Sequence, residues 1–178
     1  CPLLADSSSN LRSSGFSGPT TIAHSDLYLR SEAIARRLRP DLILQFGRPP
    51  LSKATMQYLT ESDAQWIVIA DTPGRIDPVH RSSLRLVAEP TLIAAALRDR
   101  VQANPSGLLT HFQTLDALAL ECLEPLTNAK TAELHELTAA FLALKSAPAV
   151  FLAASMPVRL AEMTAMANSS ASLISANR

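Results

Sequence analysis

Three stretches of the sequence place a polar or cationic side chain directly after an apolar run, which is where open parallel sheets hold ligands at their strand ends. In the first, Leu42-Ile43-Leu44-Gln45-Phe46 closes on Gly47 and Pro49-Pro50, and Ser52-Lys53 stand at a helix start. There the Lys53 ammonium and the unpaired N–H groups of a first helical turn point the same way, toward a carboxylate or phosphate. In the second, Ser155-Met156-Pro157-Val158-Arg159 follows the apolar stretch 149–154. Proline fixes the turn, Ser155 offers a hydroxyl, and Arg159 offers a planar fork of donors that grips a carboxylate bidentately. The third, Ala176-Asn177-Arg178 beyond Leu173-Ile174, has the same placement and is weak taken alone. Each also has an ordinary structural reading, a capped helix with a solvated lysine or a surface arginine, and the residues alone leave both open.

Other chemistries find no footing. The five glycines, Gly15, Gly18, Gly47, Gly74 and Gly107, form neither a dinucleotide fingerprint nor a phosphate-binding loop. No His-Glu-x-x-His or Gly-x-Ser-x-Gly can be written, and His24, His80, His111 and His135 lie at no ligand spacing from one another or from a cysteine. Cys1 and Cys122 fit no metal pattern, and with no secretory leader in view both are expected to be reduced. Sixteen Lys and Arg balance sixteen Asp and Glu, so no overall field draws in nucleic acid or an anionic membrane surface. The apolar runs are too short or too broken by charge to span a bilayer, and the expectation is a soluble cytoplasmic chain.

The elements that must position the three stretches alternate between strand and helix. Pro2 to Ala5 reads as a strand, and residues 7–24, rich in serine, as a long loop. Ser25-Asp26 opens a helix carried by Leu27, Leu29, Ile34 and Leu38 and stopped by Pro40. A buried strand at 42–46, a helix capped by Ser52, a strand at 66–70, a strand at 84–87 and a helix opened by Pro90 follow. This alternation predicts an α/β fold, a parallel sheet with helices on both faces. Asn104-Pro105-Ser106-Gly107 is the strongest internal punctuation. Beyond it come two helices near 110–125 and 131–145, a buried strand at 149–154 in a different sheet, another helix, and a strand at Leu173-Ile174. The expected division is 1–103 and 104–178, and the abrupt apolar start and the final strand suggest a piece of a longer polypeptide.

Several of these stretches occur together in one family. Leu3-Leu4-Ala5-Asp6 with Leu11-Arg12, Arg30 to Arg39, Pro40 to Gly47, Pro50-Leu51-Ser52-Lys53, Trp66 to Ile69, Asp77-Pro78, Ser155 to Arg159 and Ala176-Asn177-Arg178 follow in that order. In this the chain resembles the 2-succinyl-5-enolpyruvyl-6-hydroxy-3-cyclohexene-1-carboxylate synthases, thiamine-diphosphate enzymes of menaquinone and phylloquinone biosynthesis. The resemblance covers nearly the whole chain and is weakest from about 104 to 146. It implies that 1–103 is the Rossmann-like central domain, incomplete at its start, and that 104–178 opens the diphosphate-binding domain. It also implies thiamine diphosphate with Mg2+ or Mn2+ in the full-length enzyme, 2-oxoglutarate and isochorismate as substrates, and a homo-oligomer. On the matching motifs, Lys53, Ser155, Arg159 and Arg178 would bind substrate carboxylates, and Ser155 and Met156 would meet the cofactor.

Departures from the family pattern put single contacts in doubt. Ala154 stands where a polar residue, often Asn, precedes Ser-Met-Pro, Leu160 where Asp follows the arginine, and Ala54 where a second basic residue is common. The family's cofactor-activating glutamate and its metal-holding Gly-Asp motif belong to segments outside this sequence. The chain by itself is therefore expected to be inactive, to bind little or no cofactor, and to supply no catalytic residue or metal ligand. A flavin-type nucleotide module, as in related central domains, and a purely structural connecting piece are the competing readings.

Overall fold

Short apolar runs closed by glycine, proline or a polar cluster become strands here, and the segments of helical period between them become crossovers. The computed structural model describes residues 1–9, 11–12, 17–74, 76–102, 107–127, 135–164 and, for the backbone alone, 172–175. In chain order the elements are β1 (Leu3–Leu4), a 3-10 turn at Ser7–Ser9, β2 (Thr21–Ile22), α1 (Ser25–Tyr28), α2 (Glu32–Arg37), β3 (Leu42–Phe46), α3 (Lys53–Glu61) and β4 (Gln65–Ala70). They continue with β5 (Leu84–Val87), α4 (Pro90–Arg98), α5 (Leu108–Thr127), α6 (Glu136–Ser146), β6 (Ala149–Leu152), α7 (Met156–Thr164) and β7 (Ser172–Ser175).

Every strand pair among the described residues is parallel, and the class is α/β. β3, β4 and β5 form one sheet in that order, with Ile43 opposite Trp66 and Ile67 opposite Leu84. β1 pairs with β2, and β6 with β7, so the strand at 149–152 lies in a different sheet from β3. The first five strands thus fall into two sheets, where the sequence predicts one. Residues 7–24, expected as loop throughout, contain the 3-10 turn and β2. The single helix expected from Ser25 to Leu38 is two. The Asp26 carbonyl, which in a continuous helix would accept the N–H of residue 30, accepts Arg30 Nε at 3.0 Å instead.

Two strands expected to be buried are covered on one face only. Along β3, Ile43 and Gln45 are buried while Leu42, Leu44 and Phe46 are exposed. The covered side meets Met56 and Leu59 of α3, and Trp66 and Val68 complete its core. Gln45 stays satisfied there, accepting from Trp66 Nε1 at 3.2 Å and donating to the Gly47 carbonyl at 3.0 Å. β6 likewise buries Leu152 and leaves Phe151 exposed.

The largest core joins distant parts of the chain. Ile22, Tyr28, Leu29, Leu38, Ala54 and Tyr58 surround Phe112, which is fully buried. The Phe112 ring lies 6.1 Å from Tyr28 and 6.2 Å from Tyr58 between centroids. Burying such a ring contributes about 1.5–3 kcal/mol. Since Phe112 sits on α5, residues on both sides of the Asn104–Gly107 punctuation share this core.

Candidate anion-binding site

The first candidate turn combines a local cap with two ties to the preceding segment. Gly47 leaves β3 with φ of 75°, a conformation that glycine adopts without steric cost, and its N–H still bonds to the Ile69 carbonyl at 2.8 Å. Ser52 caps α3 as expected, its Oγ accepting from the Thr55 N–H at 3.0 Å. The same hydroxyl donates to Asp26 Oδ1 at 2.5 Å, and the other carboxylate oxygen of Asp26 takes Arg30 at 2.6 Å. Leu51 N–H donates to Asp6 Oδ2 at 3.2 Å, while Asp6 Oδ1 gathers the Ser8 N–H and hydroxyl at 2.8 and 2.6 Å. With Ser52 buried and its backbone pinned on both sides, Lys53 projects outward, exposed.

The second turn is built differently. After β6 the chain passes through Ser155 with φ of 78°, the left-handed region, in a residue that is not glycine. Such a backbone persists only when its surroundings hold it. α7 begins at Met156 and turns Val158, Leu160, Ala161, Glu162 and Thr164 inward, which leaves Ser155, Met156 and Arg159 exposed. Leu144, Leu152, Val158 and Ala161 form its apolar contact. Its polar contact is a fully buried ion pair: Arg12 reaches Glu162 Oε2 at 2.7 Å and the Glu162 carbonyl at 3.0 Å, and its Nε donates to the Ala5 carbonyl. Glu162 Oε1 accepts the Ser7 N–H at 2.5 Å. One residue on, the Met163 carbonyl lies 3.1 Å from His24 Nδ1, so that nitrogen carries the proton. Burial holds the His24 pKa below its usual value, against the opposing pull of Asp116, and the imidazole is neutral.

These two turns meet through Leu51, which packs against the cluster that Leu152 and Val158 help to form. Among the described residues neither Lys53 nor Arg159 has an ion-pair or hydrogen-bond partner, so both cations are available to a ligand. Arg178, the fourth substrate-binding candidate, lies outside the described residues, as do Ala176 and Asn177. No three His, Cys, Asp or Glu side chains converge as metal ligands among the described residues, and no described helix is long and apolar enough to cross a membrane. Ser155 and Met156 together present one hydroxyl and one thioether to solvent, and by themselves mark no thiamine diphosphate site. They do not make a cradle for its charged end, and the described acidic residues do not make a site for its divalent ion.

Comparison with known proteins decides the family. Residues 1–148 match the family described as "Middle domain of thiamine pyrophosphate". The chain belongs to this thiamine pyrophosphate middle-domain family. It is similar to the 2-succinyl-5-enolpyruvyl-6-hydroxy-3-cyclohexene-1-carboxylate synthase of Myxococcus xanthus (strain DK1622), with 33% identity over 187 aligned positions that take in 99% of this chain and 30% of that protein. Proteins of the same name from Crocosphaera subtropica and Salinibacter ruber are 28% and 32% identical, over 94% and 89% of this chain and 29% and 28% of their own length. The chain thus spans about 30% of the length of the curated relatives it matches.

The candidates read from the sequence, Lys53, Ser155 and Arg159, are exposed, whereas the residues that hold their turns, Asp6, Arg12, Asp26 and Glu162, were not singled out as site residues. Asp26 reads as the first turn of a helix, yet it supports the Ser52 cap. Asp6 and Arg12 stand in stretches that carry the family resemblance, but nothing in their spacing tells that one holds Leu51 and the other Glu162. Pairs 45 and 150 residues apart leave no periodic signal.

Proposed function

We propose that this chain is the middle part of a thiamine-diphosphate-dependent synthase that decarboxylates 2-oxoglutarate and adds the succinyl unit to isochorismate. In this reading Lys53, Ser155, Arg159 and Arg178 bind substrate carboxylates, and Ser155 and Met156 touch the cofactor. The observation that carries it is the similarity along almost the whole chain to proteins named for that synthesis, two of them matched over 99% and 94% of its residues. The geometry supports the site: two exposed cations without protein partners rise from turns that share one apolar cluster.

Thiamine diphosphate, when bound, supplies the carbanion chemistry, and an accompanying Mg2+ or Mn2+ would be held from outside this chain. What the residues here do is simpler. Arg159 grips a carboxylate through two parallel N–H donors, Lys53 adds a point charge, and the Ser155 hydroxyl donates or accepts one hydrogen bond. A cytoplasmic location and assembly as a homo-oligomer belong to the same reading. The division into a central domain over 1–103 and the start of the diphosphate-binding domain over 104–178 belongs to the same reading.

The test is Arg159→Ala in the full-length enzyme. A charge-assisted pair to a carboxylate contributes about 1.5–3 kcal/mol, so kcat/KM should fall roughly ten- to a hundredfold for at least one of the two substrates. Constants for both within about twofold of wild type would make Arg159 a surface residue and remove the clamp.

A further inference from the structure

The segment from Ala5 to Arg12 touches both cation-bearing turns at once. Asp6 holds the Leu51 N–H, two residues before Lys53, across 45 residues of sequence. Ser7 N–H and the Arg12 guanidinium hold Glu162, one helical turn after Arg159, across 155 and 150 residues. From these contacts we infer that Arg12 and Glu162, with Asp6, are positioning residues that fix the spacing between the Lys53 and Arg159 cations. The inference rests on the reading of those two cations as carboxylate ligands.

The form of the contacts supports a geometric role. α7 is one short helix resting on the small cluster of Leu144, Leu152, Val158 and Ala161, and dispersion contacts among such side chains tolerate a slide or rotation of the helix. Arg12 removes that freedom. It binds the Glu162 side chain and the Glu162 carbonyl together, so it fixes both the rotation of α7 and its position along its axis. Its third bond, to the Ala5 carbonyl, ties this to the backbone next to Asp6. Both partners of the ion pair are almost wholly buried, at 3% and 4% side-chain exposure. Apolar replacements of a buried pair often match it in stability, so what the pair adds is definition of one arrangement. Displacing a binding cation by an ångström weakens a bidentate grip without touching the ligand's other contacts.

The experiment compares Arg12→Met, Glu162→Gln, the double variant, Asp6→Asn and Arg159→Ala in the full-length enzyme, with KM for 2-oxoglutarate and isochorismate, kcat and thermal midpoint measured for each. Arg12→Met and Glu162→Gln should each raise KM for at least one substrate by about five- to twentyfold while kcat stays within about twofold, and the double variant should be no worse than the worse single. Asp6→Asn, at a half-buried site, should raise KM by about three- to fivefold with little change in thermal midpoint. A purely structural pair would behave otherwise: kcat would fall with the folded fraction, KM would hold, and the inference would be overturned. Should the two core variants fail to fold, an unchanged KM in Asp6→Asn overturns it equally. Arg159→Ala separates the layers: if it leaves kcat/KM for both substrates within about twofold of wild type the carboxylate reading fails, whereas a lowered kcat/KM there beside normal values in Arg12→Met removes only the positioning role.

Discussion

The turn before α3 and the turn before α7 each lead to an exposed cation, are joined through Leu51 and one apolar cluster, and are stabilised in different ways. At 47–53 the backbone is set by local residues, a glycine in the left-handed region, prolines and a serine cap, with Asp26 and Asp6 adding ties from 26 and 45 residues away. At 155–159 the local sequence opposes the structure, since Ser155 occupies a region that favours glycine, and the position of α7 depends on Arg12 from the far side of the chain. A locally encoded turn survives changes elsewhere, and a remotely held one does not.

The comparison can be broken most severely at Arg12. Arg12→Met leaves Glu162 buried without its counter-charge, which costs about 3–5 kcal/mol. Amide hydrogen exchange should then accelerate in α7 and stay near wild type in α3. Equal loss in both helices would show that the two turns are held as one unit. Ser52→Ala is the reciprocal change and a smaller one. It removes the cap and a partner of the buried Asp26 carboxylate, for a loss of about 1–2 kcal/mol, and the accelerated amides should lie in the first turn of α3.

Ser155→Gly reverses the sign. Glycine relieves the left-handed strain, worth roughly 1 kcal/mol, but also widens the unfolded ensemble, so a net gain of a few tenths of a kcal/mol in denaturant midpoint is expected. Ser155→Val, β-branched at a positive φ, should lose stability in the same assay. The smallest effect is a pH dependence, with His24 beside α7 as its first contributor. His24 has a folded pKa below its unfolded one, so the unfolded chain takes up the proton first. Its neutral burial stabilises the fold fully above the unfolded value near 6.5, and that stability is lost as pH falls through it toward the folded pKa. In an NMR titration the His24 ring protons should move at lower pH than those of a histidine in a short peptide. The acid-side loss of stability that sets in below about pH 6.5 should shrink in His24→Asn. Asp77 contributes lower on the scale. Burial raises its pKa, hydrogen bonds from the Ser82 hydroxyl and from backbone N–H groups outweigh that, and the resulting stability is lost only in more acid solution.

The same contrast explains what could be read from the sequence. β3, α3, β4, β5 and α4 were legible because apolar runs, a serine cap and a proline at a helix start act within a few residues. Lys53, Ser155 and Arg159 were legible as candidates because strand ends are marked by the same punctuation. The split of the helix at Leu29–Ser31 was not, since it turns on Arg30 taking the Asp26 carbonyl, a choice that periodicity does not register. Nor could an apolar run tell a strand covered on two faces from one covered on a single face, as Phe46 and Phe151 show. The ion pair of Arg12 and Glu162 was illegible in principle, because it exists only once two segments 150 residues apart have been brought together.

That separation also orders events in time. A contact that closes so long a loop forms late, after helices and neighbouring strands have made the short-range contacts that offset the entropy of closure. Arg12 and Glu162 therefore act on the way out of the native state more than on the way in. Weakening them should leave the refolding rate nearly unchanged and quicken unfolding. The helix that carries Arg159 would then be the last to lock and the first to release, and the lifetime of the carboxylate grip would be set by a latch at the opposite end of the chain.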